Sequence, residues 1–189
     1  MSRPAESSLY CAALLLSLLL QIAAVRPLAG QAHWGAPFLR HPAPSPDGRL
    51  IAFSYAGDIW LAANSGGAAR RLTVNPGRDA HPVWSPEGGR IAFTSDREGH
   101  SDIFVVDTAG SVPLQLTYHG SSERPVDWTP DGREVIFLDI RDLSPRRIPT
   151  PYRVPADGSR MPARLWSVLA SDVRLSGDGK RYEIGRAHV

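Results

Sequence analysis

The sequence predicts an all-β fold, a partial β-propeller of about three and a half four-stranded blades at roughly 44 residues each. Three observations carry this. The phrase SPDGRLIAF at 45–53 returns as SPEGGRIAF at 85–93, as TPDGREVIF at 129–137 and, blurred, as SGDGKRYEI at 176–184. Its first residues, Ser45, Ser85, Thr129 and Ser176, lie 40, 44 and 47 residues apart. That step is too long for leucine-rich, ankyrin or tetratricopeptide units and suits a four-stranded blade. Finally, 17 prolines and 17 glycines, mostly between apolar runs, leave little room for a long helix.

In chain order, residues 1–32 stand apart from the fold. Arg3 lies in a short polar start, Cys11 to Val25 is a nearly unbroken apolar stretch of 15 residues, and GQA at 30–32 offers small residues for cleavage. A membrane helix needs roughly 20 apolar residues, so this stretch, with Arg26 directly after it, is read as a signal peptide. Cys11 is the only cysteine and sits in a poor lipobox, so the mature protein is expected to carry no thiol and no disulfide.

The remaining 33–189 is expected to be an incomplete propeller with blades near 41–80, 81–124 and 125–170 and a fourth starting at 171. Each repeat opens on a turn. In SPDG, Ser45 and Asp47 can bend the chain onto its own amides, Pro46 pre-sets its backbone angle, and Gly48 accepts positive φ. The runs that follow, Leu50 to Phe53, Arg90 to Thr94 and Glu134 to Leu138, are short and rich in Ile, Val and Phe, so they are predicted as strands buried on both faces. DIWLA at 58–62 and DIFVV at 102–106 supply the next strand, reached in the second copy through the polar loop SDREGHSD at 95–102. RRLT at 70–73 and LQLT at 114–117 close the blade. In the fourth copy Gly177 replaces proline, and RDLSPRRIPTP at 141–151 interrupts the third.

A propeller with fewer than four blades leaves an unpaired strand edge, so the native protein is expected to continue beyond this segment. Residues 184–189, IGRAHV, can be encoded by the start of a common sequencing adapter, and these six residues are expected to be foreign.

The charge is mild, with 21 Lys or Arg against 19 Asp or Glu, and forms no basic stripe for nucleic acid. No G-x-S-x-G elbow is present and no mature cysteine, so no catalytic residue is assigned. Ser45, Ser85 and Ser176 are read as turn residues. The histidines, His33, His41, His81, His100, His119 and His188, form no H-E-x-x-H and no helical pair. His41 and His81 share one repeat position, four residues before the turn serine, where the third copy has Pro125. A loop role capping the incoming strand is therefore preferred, with a rim or channel site as the alternative. SPDG and SPEG lack the ladder of a calcium loop, so no metal or other cofactor is expected. Trp60, Phe104, Trp84 and Trp128 are expected to pack between blades. Asp58 and Asp102, placed identically at a strand start, are expected to accept backbone or Thr hydrogen bonds within their blades.

SPEGGRIAFTSDREGHSDIFVVDTAG at 85–110 resembles the WD-like repeat of TolB propellers and of propellers attached to peptidases. More narrowly, FSYAGDIWLA at 53–62, ARRLT at 69–73, LTYH at 116–119, VDWTPDGREVIF at 126–137 and YRVPADG at 152–158 are similar, in this order, to the amino-terminal propeller of tricorn-like peptidases. The resemblance implies a six- or seven-bladed TolB-type propeller of an exported, periplasmic or secreted, serine peptidase. In it the propeller gates peptides without catalysing their hydrolysis, and strand-edge backbone groups and loop side chains hold an extended chain in the channel. The implied partners are that peptide or protein substrate and downstream peptidase domains of the same chain. No nucleic acid is implied, and no membrane beyond the signal peptide. The alternatives are a TolB-like periplasmic protein-binding propeller and the propeller of a prolyl-oligopeptidase-type hydrolase.

Overall fold

The computed structural model describes residues 38–141, 149–165, 169–170, 172–184 and 187–188. Residues 1–37, which include the stretch read as a signal peptide, residues 142–148 of the insert and residues 185, 186 and 189 of the terminal hexapeptide lie outside them.

Three four-stranded antiparallel sheets follow one another, each built in chain order from an inner to an outer strand. The first holds β1 (Arg40–Pro44), β2 (Leu50–Tyr55), β3 (Asp58–Ala63) and β4 (Arg70–Arg71). The second holds β5 (Asp79–Trp84), β6 (Arg90–Ser95), β7 (Asp102–Asp107) and β8 (Leu114–Gln115). The third holds β9 (Glu123–Trp128), β10 (Glu134–Asp139), β11 (Thr150–Pro155) and β12 (Ala163–Arg164). After them β13 (Leu169–Ala170) pairs with β16 (Ala187–His188), and β14 (Val173–Leu175) with β15 (Tyr182–Ile184). The fold is a partial β-propeller.

The repeated phrase forms the turn between first and second strand in all four copies. Gly48, Gly88, Gly132 and Gly179 donate their N–H groups to the carbonyls of Ser45, Ser85, Thr129 and Ser176 at 2.8–2.9 Å. Their φ values of 67–75° lie in the left-handed region that a side chain disfavours. The hydroxyl opening each turn then accepts the N–H five residues on: Leu50 to Ser45 at 2.9 Å, Arg90 to Ser85 at 3.0 Å, Glu134 to Thr129 at 3.0 Å and Arg181 to Ser176 at 2.9 Å. These serines lock a hairpin. The fourth turn keeps the same bonds without its proline.

Side-chain alternation along the strands makes the layers. Ile91 and Phe93 of β6, with Phe104 and Val106 of β7, pack on Ala52, Ile59 and Leu61 of the first sheet. Ala92, Ile103 and Val105 point the other way and meet Val135, Phe137, Tyr152 and Val154 of the third sheet. Ile136 and Leu138 in turn meet Val126 and Val173, with Leu175 and Ile184 alongside. Hence β6 and β10 are buried on both faces, as their unalternating apolar sequences predict. In β2 only Ala52 and Ser54 are buried, since Ile51 and Phe53 face away from the second sheet. Phe93 and Phe137 are wholly buried, each stabilising the fold by about 1.5–3 kcal/mol.

Candidate functional site

The inner strands stand side by side, β1 beside β5, β5 beside β9 and β9 beside β14. Together they wall a cleft of about 450 Å³ that runs from His41 and His81 past Arg124 to Asp127, Asp172 and Arg174. Each of β1, β5 and β9 is an edge strand of its sheet and carries a proline, Pro42, Pro82 or Pro125. An edge is where a strand tolerates a missing N–H.

Those prolines sit at irregularities of register. In β1, Arg40 faces Ser54 and Ala43 faces Ala52, so His41 and Pro42 together oppose Phe53. In β5, His81 and Pro82 together oppose Phe93. The first residue of each bulge is left-handed, with φ of 53° at His41 and 56° at His81. A side chain there costs roughly 1–2 kcal/mol. In β9 the irregularity falls at the same place, Pro125 and Val126 together opposing Phe137, but no residue of that strand is left-handed.

The two bulges bring the imidazoles into contact, ring centroids 3.7 Å apart and inclined at 41°. Nδ1 of His41 also lies 3.3 Å from the Ser54 hydroxyl. Burial, helped by Arg40, Arg78 and Arg124, holds His41 below the usual imidazole range. Burial together with His41, Arg124 and Arg78 pushes His81 down to about 4. Both rings are therefore neutral at pH 7, each with one N–H to donate and one lone pair to offer. Both histidines stand inside inner strands, at bulges that line the cleft, and neither is in a loop.

The other candidates serve the scaffold. Trp84 and Trp128 are buried between sheets, and their indole N–H groups donate across the sheet boundary to the carbonyls of Ala43, at 2.8 Å, and Val83, at 3.1 Å. Phe104 stacks on Phe93 at 5.9 Å. Trp60 departs from its expected place between blades. It is only half-buried, lies edge-on to Tyr55 and donates to the Tyr55 carbonyl at 3.0 Å, because it pairs with Phe53 on the face of its sheet turned from β6.

Asp58 and Asp102 are held by outer-strand side chains instead of a Thr. Arg71 reaches Asp58 at 2.5 Å and the Gln115 amide donates to Asp102 at 3.0 Å. The threonines bind one residue on, Thr73 and Thr117 accepting the N–H groups of Ile59 and Ile103 at 2.9 and 2.8 Å. Burial pushes the Asp102 carboxyl up. His100 and His119 are exposed, His119 sharing a 2.8 Å hydrogen bond with Ser121; His33 and the His188 side chain lie outside the described residues.

A clasp within the second and third sheets, tying the inner strand to the loop after the second strand, was not anticipated. Arg97 donates to both carboxylate oxygens of the buried Asp79 at 2.9–3.0 Å and to the Ser95 hydroxyl at 2.8 Å, and lies 4.7 Å over the Phe104 ring. One repeat later Arg141 pairs with both Glu123 and Asp139 and lies 4.6 Å over Tyr152, while the Thr117 and Ser121 hydroxyls donate to Glu123 and Asp139. Burial, reinforced by Asp139, pushes Glu123 up to about 8 against the opposing pull of Thr117 and Arg141. The signal was available: an acid opens both inner strands, Asp79 and Glu123, and an arginine stands two residues past both second strands, in SDR and DIR. Among the described residues no cluster of three or more His, Cys, Asp or Glu could hold a metal ion, and no helix is long and apolar enough to cross a membrane.

Residues 36–188 match the family described as the tricorn protease N-terminal beta propeller domain. Tricorn protease homolog 1 of Streptomyces coelicolor is 37% identical over 105 residues, which are 55% of this chain but 10% of that protein. Among solved structures, TolB from Acinetobacter baumannii superposes with a TM-score of 0.63 at 26% identity, over 78% of this chain and 37% of that one. The tricorn protease superposes equally well, TM-score 0.63, at 21% identity over 76% of this chain and 14% of that one, a likeness of fold. With a family match that spans nearly every strand and a fold shared with both propellers, the chain belongs to the tricorn protease N-terminal β-propeller family.

Proposed function

We propose that this chain is the non-catalytic propeller of an exported tricorn-like serine peptidase, which binds peptides along its inner-strand wall and gates their passage to catalytic domains of the same parent protein. The match of residues 36–188 to the family carries the reading. The cleft beside β1, β5 and β9 gives the wall a volume suited to an extended chain of a few residues. That this segment corresponds to a tenth of the length of its Streptomyces relative agrees with hydrolysis residing elsewhere. Export rests on the apolar segment at 11–25.

Binding of fluorescent peptides of eight to twelve residues, followed by anisotropy on the 189-residue chain, tests this. Saturable binding without cleavage is expected. Peptidase activity abolished by substitution of a serine in the chain, or no binding to any peptide, would refute it. The TolB likeness favours a second reading, a propeller that docks a folded protein partner instead of passing a peptide. That reading predicts binding to a folded partner that short peptides fail to displace.

A further inference from the structure

We propose that the end of the wall where the inner strands begin is a carboxylate site, which selects extended peptides bearing acidic side chains. This deepens the peptide-binding reading and rests on it. The first observation is the placing of cations. Arg40 opens β1, Arg78 immediately precedes β5 and Arg124 is the second residue of β9, and all three are exposed. His41 joins two adjoining clefts: His81 and Arg124 line the first with it, and Arg40 and Arg78 line the second, of about 380 Å³. Both imidazoles feel the field of Arg78 and Arg124.

The carboxylates lining the two clefts are committed elsewhere, and the exposed Asp96 beside them accepts the backbone N–H of Arg78 at 2.5 Å. Asp58 is paired with Arg71 and Asp79 with Arg97. Asp127 accepts the N–H groups of Trp128 at 2.8 Å and Leu175 at 2.7 Å, and Asp172 accepts that of Val173 at 3.1 Å. Among the described residues no salt bridge reaches Arg40 or Arg78.

The second observation is strain. Two histidines hold left-handed backbones that glycine would adopt freely, and their rings meet on the wall. Strained side-chain placement of this sort is kept where the side chain has work to do. Cations at the heads of three successive inner strands suit several side-chain carboxylates along an extended chain better than one terminal group.

The test uses the 189-residue chain and three labelled decapeptides: an Asp/Glu-rich one blocked at both ends, its Asn/Gln counterpart blocked likewise, and that neutral peptide with a free C-terminal carboxylate. The acidic peptide is expected to bind about ten-fold more tightly than the blocked neutral one at low salt, an advantage that raised salt removes. The double variant Arg40→Gln/Arg78→Gln, changed only at exposed positions, is expected to lose most of it, each exposed pair being worth up to about five-fold. Equal binding of acidic and blocked neutral peptides overturns the acidic site while leaving peptide binding intact. An advantage that follows the free C-terminus, or one that survives in the double variant or at high salt, also overturns it. Failure of every peptide overturns the gating reading as well.

Discussion

Replacing Glu123 by Gln should flatten the pH dependence of stability in this propeller. Glu123, Asp139 and Arg141 bring two buried carboxylates to one guanidinium, so the folded protein keeps a proton that balances the charge. The folded value for Glu123 is about 8, against 4.5 for the free side chain. Below pH 4.5 folded and unfolded chains hold the proton alike and the raised value costs nothing. Between 4.5 and 8 only the unfolded chain releases it, so stability falls as pH rises, and above 8 the loss is complete. For one proton the loss between pH 5.5 and 7.5 is roughly 2–3 kcal/mol. For a urea m-value of about 2 kcal/mol/M this lowers the midpoint by roughly 1 to 1.5 M. His41 and His81 act oppositely, since their depressed values make the folded protein gain stability as pH rises toward 6.5. The quantity to read is therefore the difference between wild type and Glu123→Gln, from urea melts at pH 5.5 and 7.5. The amide copies the protonated acid, so the variant should lack the fall. Equal pH slopes in the two proteins would show that no proton is held at the clasp.

Arg97→Met strands the buried Asp79 and should cost about 3–5 kcal/mol in urea unfolding, most of it recovered when Asp79→Asn is added; a loss below 1 kcal/mol would mean the clasp is idle. Trp128→Phe removes the donor to the Val83 carbonyl and leaves a void between the second and third sheets, for a loss of roughly 1–3 kcal/mol, and a melt indistinguishable from wild type would refute that bond's role. His81→Gly should be more stable than His81→Ala by about 1 kcal/mol, because only glycine relaxes the left-handed backbone; the reverse order in thermal melts would place the cost elsewhere.

What could be read from the residues was the part governed by local chemistry and period. The SPDG copies announce hairpins because a hydroxyl, a proline and a left-handed glycine act within six residues, and the apolar runs announce layers because β6 and β10 have no solvent face. Long-range partners were harder. Asp58 and Asp102 repeat visibly, yet nothing local names Arg71 or Gln115, which reach them only after a strand has crossed. The alignment of His41 with His81 was visible, but their contact depends on two bulges, and a bulge is a difference in register between strands that no single strand displays. Trp60 reads like Phe104, and only the absence of a facing layer among the described residues separates a half-buried ring from a buried one.

The prolines of β1, β5 and β9 have a consequence for traffic. Pro42, Pro82 and Pro125 have no amide hydrogen, so at those points an arriving chain meets carbonyls and side chains but no donor. Continuous strand pairing, the usual way an extended polypeptide adheres to a sheet edge, is broken on each wall strand in turn. On the proposed peptide-binding reading, a peptide in this cleft would be gripped by its side chains and slip by its backbone, as a guide demands and an anchor does not.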